Sequence, residues 1–302
     1  MDYTLDIDYQ DEFQVRNQDH YQDQSKKRMP QTPERHLAQL AQARRVMDTR
    51  FPNQSAKQRG EYKLIQALNW VYRWGWSSAK TIERVGGGTH SGLAARLVRA
   101  RYLEATRTDS GLAQKDLPSH ILTLTSDGLA RVQRERDSLL PYSTDPSKVR
   151  QDQLRHYQIA QTATIEALHL QSISGYNVEK EMAELSADGV KQPDIFWRLP
   201  SGDGVAVEVE LSGKWGRAMD IFVRGCVAEL TAAPGKPARF DYLFILSDSN
   251  AILNRYKTAL SAGSSYDLWT KDSQGHTVQI PKSTQKVPAE VAAKIVCRNS
   301  ND

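Results

Sequence analysis

Apolar residues recur at helical spacing from about residue 61, and beyond about residue 190 they take on the alternation of strands. Leu64, Ile65, Leu68, Val71 and Tyr72 form one apolar stripe, which predicts a helix running to about Trp74 and ended by Gly75. Ser77 or Ser78 is placed to cap a short second helix with Ala79, Ile82 and Val85 turned inward. Gly86, Gly87 and Gly88 predict a turn, and Thr89 or Ser91 starts a third helix reaching about Arg101. Residues 102–107 and 119–124 read as two strands around a polar tip. The corner Thr125-Ser126-Asp127-Gly128 caps a last helix to about residue 139. Upstream, Leu37, Leu40, Ala41 and Val46 predict an amphipathic helix over 33–50, while residues 1–32 have little periodicity and read as a flexible arm.

Three helices, a β-hairpin and another helix are in the order of a winged helix, so 33–140 is expected to be a DNA-binding domain with a helical lead-in. Its third helix, THSGLAARLVRAR, carries His90, Arg96, Arg99 and Arg101 and no acid, and Arg107 follows on the first wing strand. Small residues allow close approach to a duplex, and arginines suit phosphates or guanine edges. The plainer alternative is that these arginines only solvate an exposed face.

Residues 141–146 read as a linker and 147–170 as a long helix, after which helices and strands alternate, predicting a second, α/β domain over 147–302. There a strand over 195–199 begins at Pro193-Asp194, turns at 200–204 and returns over 205–211. Alternation puts Val205, Val207, Val209 and Leu211 on one face and Ala206, Glu208 and Glu210 on the other. Carboxylates at successive same-face positions stand roughly 6 to 7 Å apart, and Asp194 is placed to join them at the end of the sheet. Such oxygen donors suit a hard cation, Mg²⁺ or Mn²⁺. Three clustered acids also require a positive neighbour, for which Lys214 is the nearest candidate. The alternative is a solvent-facing strand kept soluble by its glutamates. Against it stand the apolar flanks, a helix over 215–230 with Ile221, Phe222, Val223 and Val227 to bury, and an apolar strand over 240–246.

Composition narrows the picture. The chain of 302 residues is long enough for two ordinary domains, and 39% hydrophobic with 25% charged residues is a globular composition. No apolar run approaches the ~18 to 20 residues of a membrane span, and the acidic start lacks the features of a signal peptide, so a bacterial cytoplasm is expected. Only Cys226 and Cys297 are present, which excludes a disulfide framework and a cysteine zinc site. The net charge of +4 is mild, but an acidic stretch of about 30 residues is followed by the basic KKRMPQTPERHLAQLAQARRVMDTR. Gly86, Gly87 and Gly88 lack the Gly-Lys-Ser/Thr of a phosphate loop.

Pro193-Asp194 followed by Glu208-Val209-Glu210 on a hairpin strand, then a helix and a buried strand, resembles the PD-(D/E)xK nuclease fold, with Glu210 where that motif has lysine. Read as D…E-x-E-x-x-x-K behind a winged helix, the chain resembles more narrowly the MobC-type plasmid relaxases and replication-relaxation proteins, over about residues 61–246. That resemblance implies catalytic roles for Asp194, Glu208, Glu210 and Lys214, a metal on the three acids, and further roles for His156 on the preceding helix and Glu179 on the preceding strand. It implies nicking of one strand at a plasmid transfer origin, with the duplex origin and the nicked single strand as partners beside an accessory relaxosome protein and a type IV coupling protein. Relaxases with a His-hydrophobic-His metal triad are a different chemistry, because none of the seven histidines makes a His-x-His. Tyr157 or Tyr176 as a covalent nucleophile is left open, packed aromatics being the plainer reading. Two other functions remain: a restriction- or transposase-like endonuclease, and a DNA-binding regulator on a degenerate nuclease fold.

Overall fold

The computed structural model describes residues 54–88, 91–109, 117–182, 192–232, 235–281 and 283–301. The expected arm, the helix over 33–50 and His90 lie outside the described residues. Gly60–Asp302 forms one compact unit.

Helix α1 (Ala56–Trp74) starts earlier than its apolar stripe requires. Ser55 and Gln58 cap it reciprocally: Gln58 N–H donates to Ser55 Oγ (3.2 Å) and Ser55 N–H to Gln58 Oε1 (2.8 Å). Helix α2 (Ala79–Val85) is capped by Ser78, which accepts from Thr81 N–H. Helix α3 (Leu93–Arg99) is shorter than expected and has no cap from its own N-terminal side chain, since Gly92 occupies that position at φ 67°. The buried Glu83 of α2 supplies the cap instead, accepting from Ser91 N–H (2.8 Å) and Ala94 N–H (2.9 Å). Burial pushes the Glu83 carboxyl up, but the Ser91 hydroxyl and the surrounding backbone N–H groups outweigh it and hold the group below its ordinary value.

Strands β1 (Leu103–Arg107) and β2 (His120–Leu124) form an antiparallel hairpin in register from Leu103↔Leu124 to Arg107↔His120. Ser77 adds an antiparallel bridge to Leu122. Helix α4 (Ser126–Gln133) follows, with Thr125 accepting from Gly128 N–H (3.1 Å). Gly128 lies against the Tyr102 carbonyl, whose oxygen would be 2.0 Å from a β-carbon there. The helix stops at Gln133, short of residue 139, because the chain turns back to α1. Arg136 donates to Asn69 Oδ1 (2.7 Å), and the Leu140 carbonyl accepts from the Tyr72 hydroxyl (2.8 Å).

The long helix expected from residue 147 begins only at Leu154, as α5 (Leu154–His169), after two 3₁₀ turns at Pro146–Lys148 and Gln151–Gln153. These turns allow Val149 and Leu154 to pack with Trp76 and Ile121. The main sheet holds β3 (Gly175–Val178), β4 (Ile195–Arg198), β5 (Gly204–Val209), β6 (Tyr242–Ser247) and the last strand, Ile295–Asn299, in the order last strand–β6–β5–β4–β3. The β3–β4 and β4–β5 pairs are antiparallel, while β5–β6 and β6 with the last strand are parallel. Helix α6 (Arg217–Leu230) connects β5 to β6, as a parallel pair requires.

The central strand β5 is buried throughout. Val205, Val207 and Val209 share a core with α1 and α5, through residues such as Trp70, Ala160 and Ile165. Ala206 points into a second core with Met219, Phe222 and Val223 of α6 and with Leu253 and Tyr256 of α7 (Asn250–Ala259). The first core also takes in Leu97, Leu103 and Leu124, so the helix–hairpin region and the sheet region bury their apolar faces together. Gln161 of α5 fastens them: it accepts from Trp70 Nε1 (2.9 Å) and Ser77 Oγ (2.7 Å) and donates to the Trp76 carbonyl (3.0 Å). Towards the end of the chain a strand forms over Thr277–Gln279 and a short helix over Ala289–Ala292, after which Ile295–Asn299 joins the main sheet. None of the described helices is long and apolar enough to cross a membrane.

Candidate active site

Glu208 and Glu210, at the C-terminal end of β5, are 4% and 6% exposed. This removes the reading of a solvated strand face. Strand β5 itself stops at Val209, one residue short of Glu210, although Glu210 N–H still donates to the Leu246 carbonyl (2.8 Å) on β6. The Glu210 carboxylate accepts from the Lys214 ammonium and from the Tyr256 hydroxyl (2.8 Å), and Lys214 Nζ also reaches that hydroxyl (3.2 Å). Tyr256 is fully buried, and burial followed by the Glu210 charge pushes its phenol far up.

Asp194 stands immediately before β4, one step beyond the Ile195↔Val207 pair and therefore level with Glu208. Its Oδ2 accepts from Val209 N–H (2.7 Å) and faces His156 Nε2 at 3.0 Å. His156 lies in the first turn of α5. Burial pulls its pKa down, but the Asp194 hydrogen bond and charge, followed by the charges of Glu210 and Glu208, raise it above the ordinary value. The fold thus brings His156, Asp194, Glu208, Glu210 and Lys214 to one end of the central strand.

Glu179 joins this group through Tyr157. It opens the 3₁₀ turn Glu179–Glu181, just after β3, and accepts from the Tyr157 hydroxyl (3.3 Å). Burial, then the nearby Glu179 charge, pushes the Tyr157 phenol up to about 12. A cleft of about 250 Å³ runs past these groups, lined by Arg73, Trp74, Tyr157, Glu179, Lys180 and Asp194 among others. Burial lowers the Lys180 ammonium to about 8. Tyr176 packs against both Trp70 and Trp74 under the Arg73 guanidinium, 3.7 Å from its ring centre. In the helix–hairpin region Arg96, Arg99, Arg101 and Arg107 are all exposed.

Asp194, Glu208 and Glu210 offer carboxylate oxygens, a donor type that suits a hard cation, with Lys214 on Glu210 and the His156 imidazole on Asp194. Its arrangement is held by internal partners, Asp194 by His156 and Val209 N–H and Glu210 by Lys214 and Tyr256. Among the described residues no three His, Cys, Asp or Glu side chains stand together in metal-holding geometry. A cation on Asp194 would therefore exchange with the His156 contact. Tyr256, Arg73 and Lys180 are site residues that sequence reasoning did not find. Tyr256 is visible in the sequence only as an inward helical position three residues after Leu253, because its carboxylate partner lies 46 residues away.

The chain matches no protein-family model, no curated protein and no solved structure.

Proposed function

We propose that this chain is a DNA-nicking enzyme of the relaxase type, dependent on Mg²⁺ or Mn²⁺. The observation that carries the reading is the burial of Glu208 and Glu210 beside Asp194, His156 and Lys214 at the end of a covered central strand. Taking a carboxylate out of water costs several kcal/mol, and placing a second beside it adds repulsion. Packing alone would favour an apolar residue at either position, so two buried carboxylates there call for a role beyond packing. The element order supports the resemblance as well: a helix bearing His156, a strand followed at once by Glu179, Pro193-Asp194, a hairpin strand with Glu208, a helix and a buried strand.

In this reading Asp194 and Glu208 hold the cation. When bound it supplies neutralising charge to the scissile phosphate and a more acidic water. Lys214, tethered by Tyr256, balances Glu210 and faces charge that develops on the phosphate. His156 orients Asp194 through Nε2 and carries a proton near the reacting oxygens. The exposed arginines of the helix–hairpin region act as a winged helix on duplex DNA at a transfer origin. The nicked strand, an accessory relaxosome protein and a coupling protein are the partners of that reaction.

A supercoiled plasmid carrying the replicon's own transfer region, incubated with Mg²⁺ or Mn²⁺, tests this. Wild type is expected to give open circles broken at one position on one strand, and Asp194→Ala none. Linear product from wild type would move the assignment to a restriction- or transposase-like endonuclease. DNA binding without cutting by either protein would leave a DNA-binding regulator.

A further inference from the structure

We infer that Trp215 and Arg255 form a stacking platform for an unpaired base of single-stranded DNA beside the acidic site. This rests on the nuclease reading and specifies the form of substrate that the site takes.

Trp215 is 70% exposed, whereas Trp70, Trp74, Trp76 and Trp197 are all buried. An indole in solvent forgoes the largest apolar burial any side chain offers, so its place at the surface needs a reason. This one is held firmly. The Arg255 guanidinium covers one face of the ring at 3.1 Å from its centre, and Arg255 Nε donates to the Lys214 carbonyl. A β-carbon at Gly213 would stand 3.4 Å from Arg255 Cδ and 3.5 Å from Trp215 Nε1, ordinary contact distances, so the stack lies directly against this stretch of backbone.

The position ties the platform to the chemistry. Trp215 directly follows Lys214, and Arg255 directly precedes Tyr256, so the same two segments that hold the Glu210 carboxylate also hold the stack. Arg217, in the first turn of α6, is also exposed. A free aromatic face backed by a guanidinium, with another arginine nearby for phosphate, is the combination that single-stranded nucleic acid uses. In a duplex the bases are stacked on one another and cannot take up this face, which is why the occupant is an unpaired strand.

The test uses the full chain in EDTA, so that nothing is cut, with a short fluorescein-labelled oligothymidylate and a labelled duplex hairpin read by anisotropy. Trp215→Ala is expected to bind the oligothymidylate about tenfold more weakly, the loss of one base–aromatic stack. Trp215→Phe should recover most of that loss, and both variants should bind the hairpin as wild type does. Equal binding of the oligothymidylate by wild type and Trp215→Ala overturns the platform, as does a matched loss on both probes. Because no cleavage is measured, the platform can stand or fall independently of the Asp194→Ala nicking result that decides the nuclease reading.

Discussion

Arg96, Arg99, Arg101 and Arg107 of the helix–hairpin region stand in solvent, whereas the sheet region takes Glu208 and Glu210 out of it. The exposed arginines need no partner, because water already stabilises them and their attraction for phosphate is long-ranged and screened by salt. The acids of the sheet region depend on specific groups: the buried Glu210 on Lys214 and Tyr256, the half-buried Asp194 on His156 and the Val209 amide. Charge in the first region should therefore be replaceable for stability and costly for DNA binding. In the second it should matter for the fold itself, through named contacts.

Breaking the packing on which both regions rest should have the largest effect. Gly128→Ala sets a β-carbon against the Tyr102 carbonyl at the corner between hairpin and helix, where the two nearest atoms are backbone. A loss of about 4 kcal/mol is expected, read as a lowered denaturant midpoint. Since the two regions share a core, far-ultraviolet and tryptophan signals should shift together. Separate transitions would mean that the regions unfold independently.

Next comes the partner of a buried acid. Lys214→Ala leaves the Glu210 carboxylate with Tyr256 alone and should cost about 2 kcal/mol, less than a fully buried pair because Lys214 is partly exposed. Adding Glu210→Gln to it should restore much of that stability without restoring nicking. If the double variant is no more stable than the single one, the cost does not come from an unbalanced charge.

A smaller effect is carried by pH. The His156 pKa is raised above its ordinary 6.5 in the folded chain. Its contribution is therefore complete below about 6.5 and is lost as pH rises through the higher folded value. The ring resonances should titrate above 6.5 in wild type, and Asp194→Asn should move the midpoint down and flatten this part of the stability profile. An unmoved midpoint would remove Asp194 as the cause.

The smallest effect on stability is expected from Arg96→Ala with Arg99→Ala, within about 0.5 kcal/mol. Duplex affinity should nevertheless fall, and the slope of log affinity against log salt should decrease by about 1 for each arginine that meets a phosphate. An unchanged slope would leave these arginines as solvating groups only.

Much of this was legible in the sequence. The stripe of Leu64, Leu68 and Val71, the Ser78 and Thr125 caps, and the hairpin between Arg198 and Gly204 are local patterns, and their elements formed where expected, although the helix after Thr125 ends at Gln133 rather than near residue 139. Other features were not. The strand Ile295–Asn299 is a short, half-polar run that pairs only because β6 offers an edge. The cap on α3 comes from Glu83 on another helix, and the Gln161 clip depends on three groups more than 80 residues away. Periodicity and capping depend on neighbours along the chain, so the sequence by itself determined where most of the helices and strands form and marked Asp194, Glu208, Glu210 and Lys214 as candidates, His156 following from the resemblance. Only the tertiary structure decided which partner each charge receives, that Tyr256 holds Glu210, and that Trp215 is left in solvent. A buried charge is stabilised by whatever packing brings within hydrogen-bond reach, and that distance is set across the fold rather than along the chain.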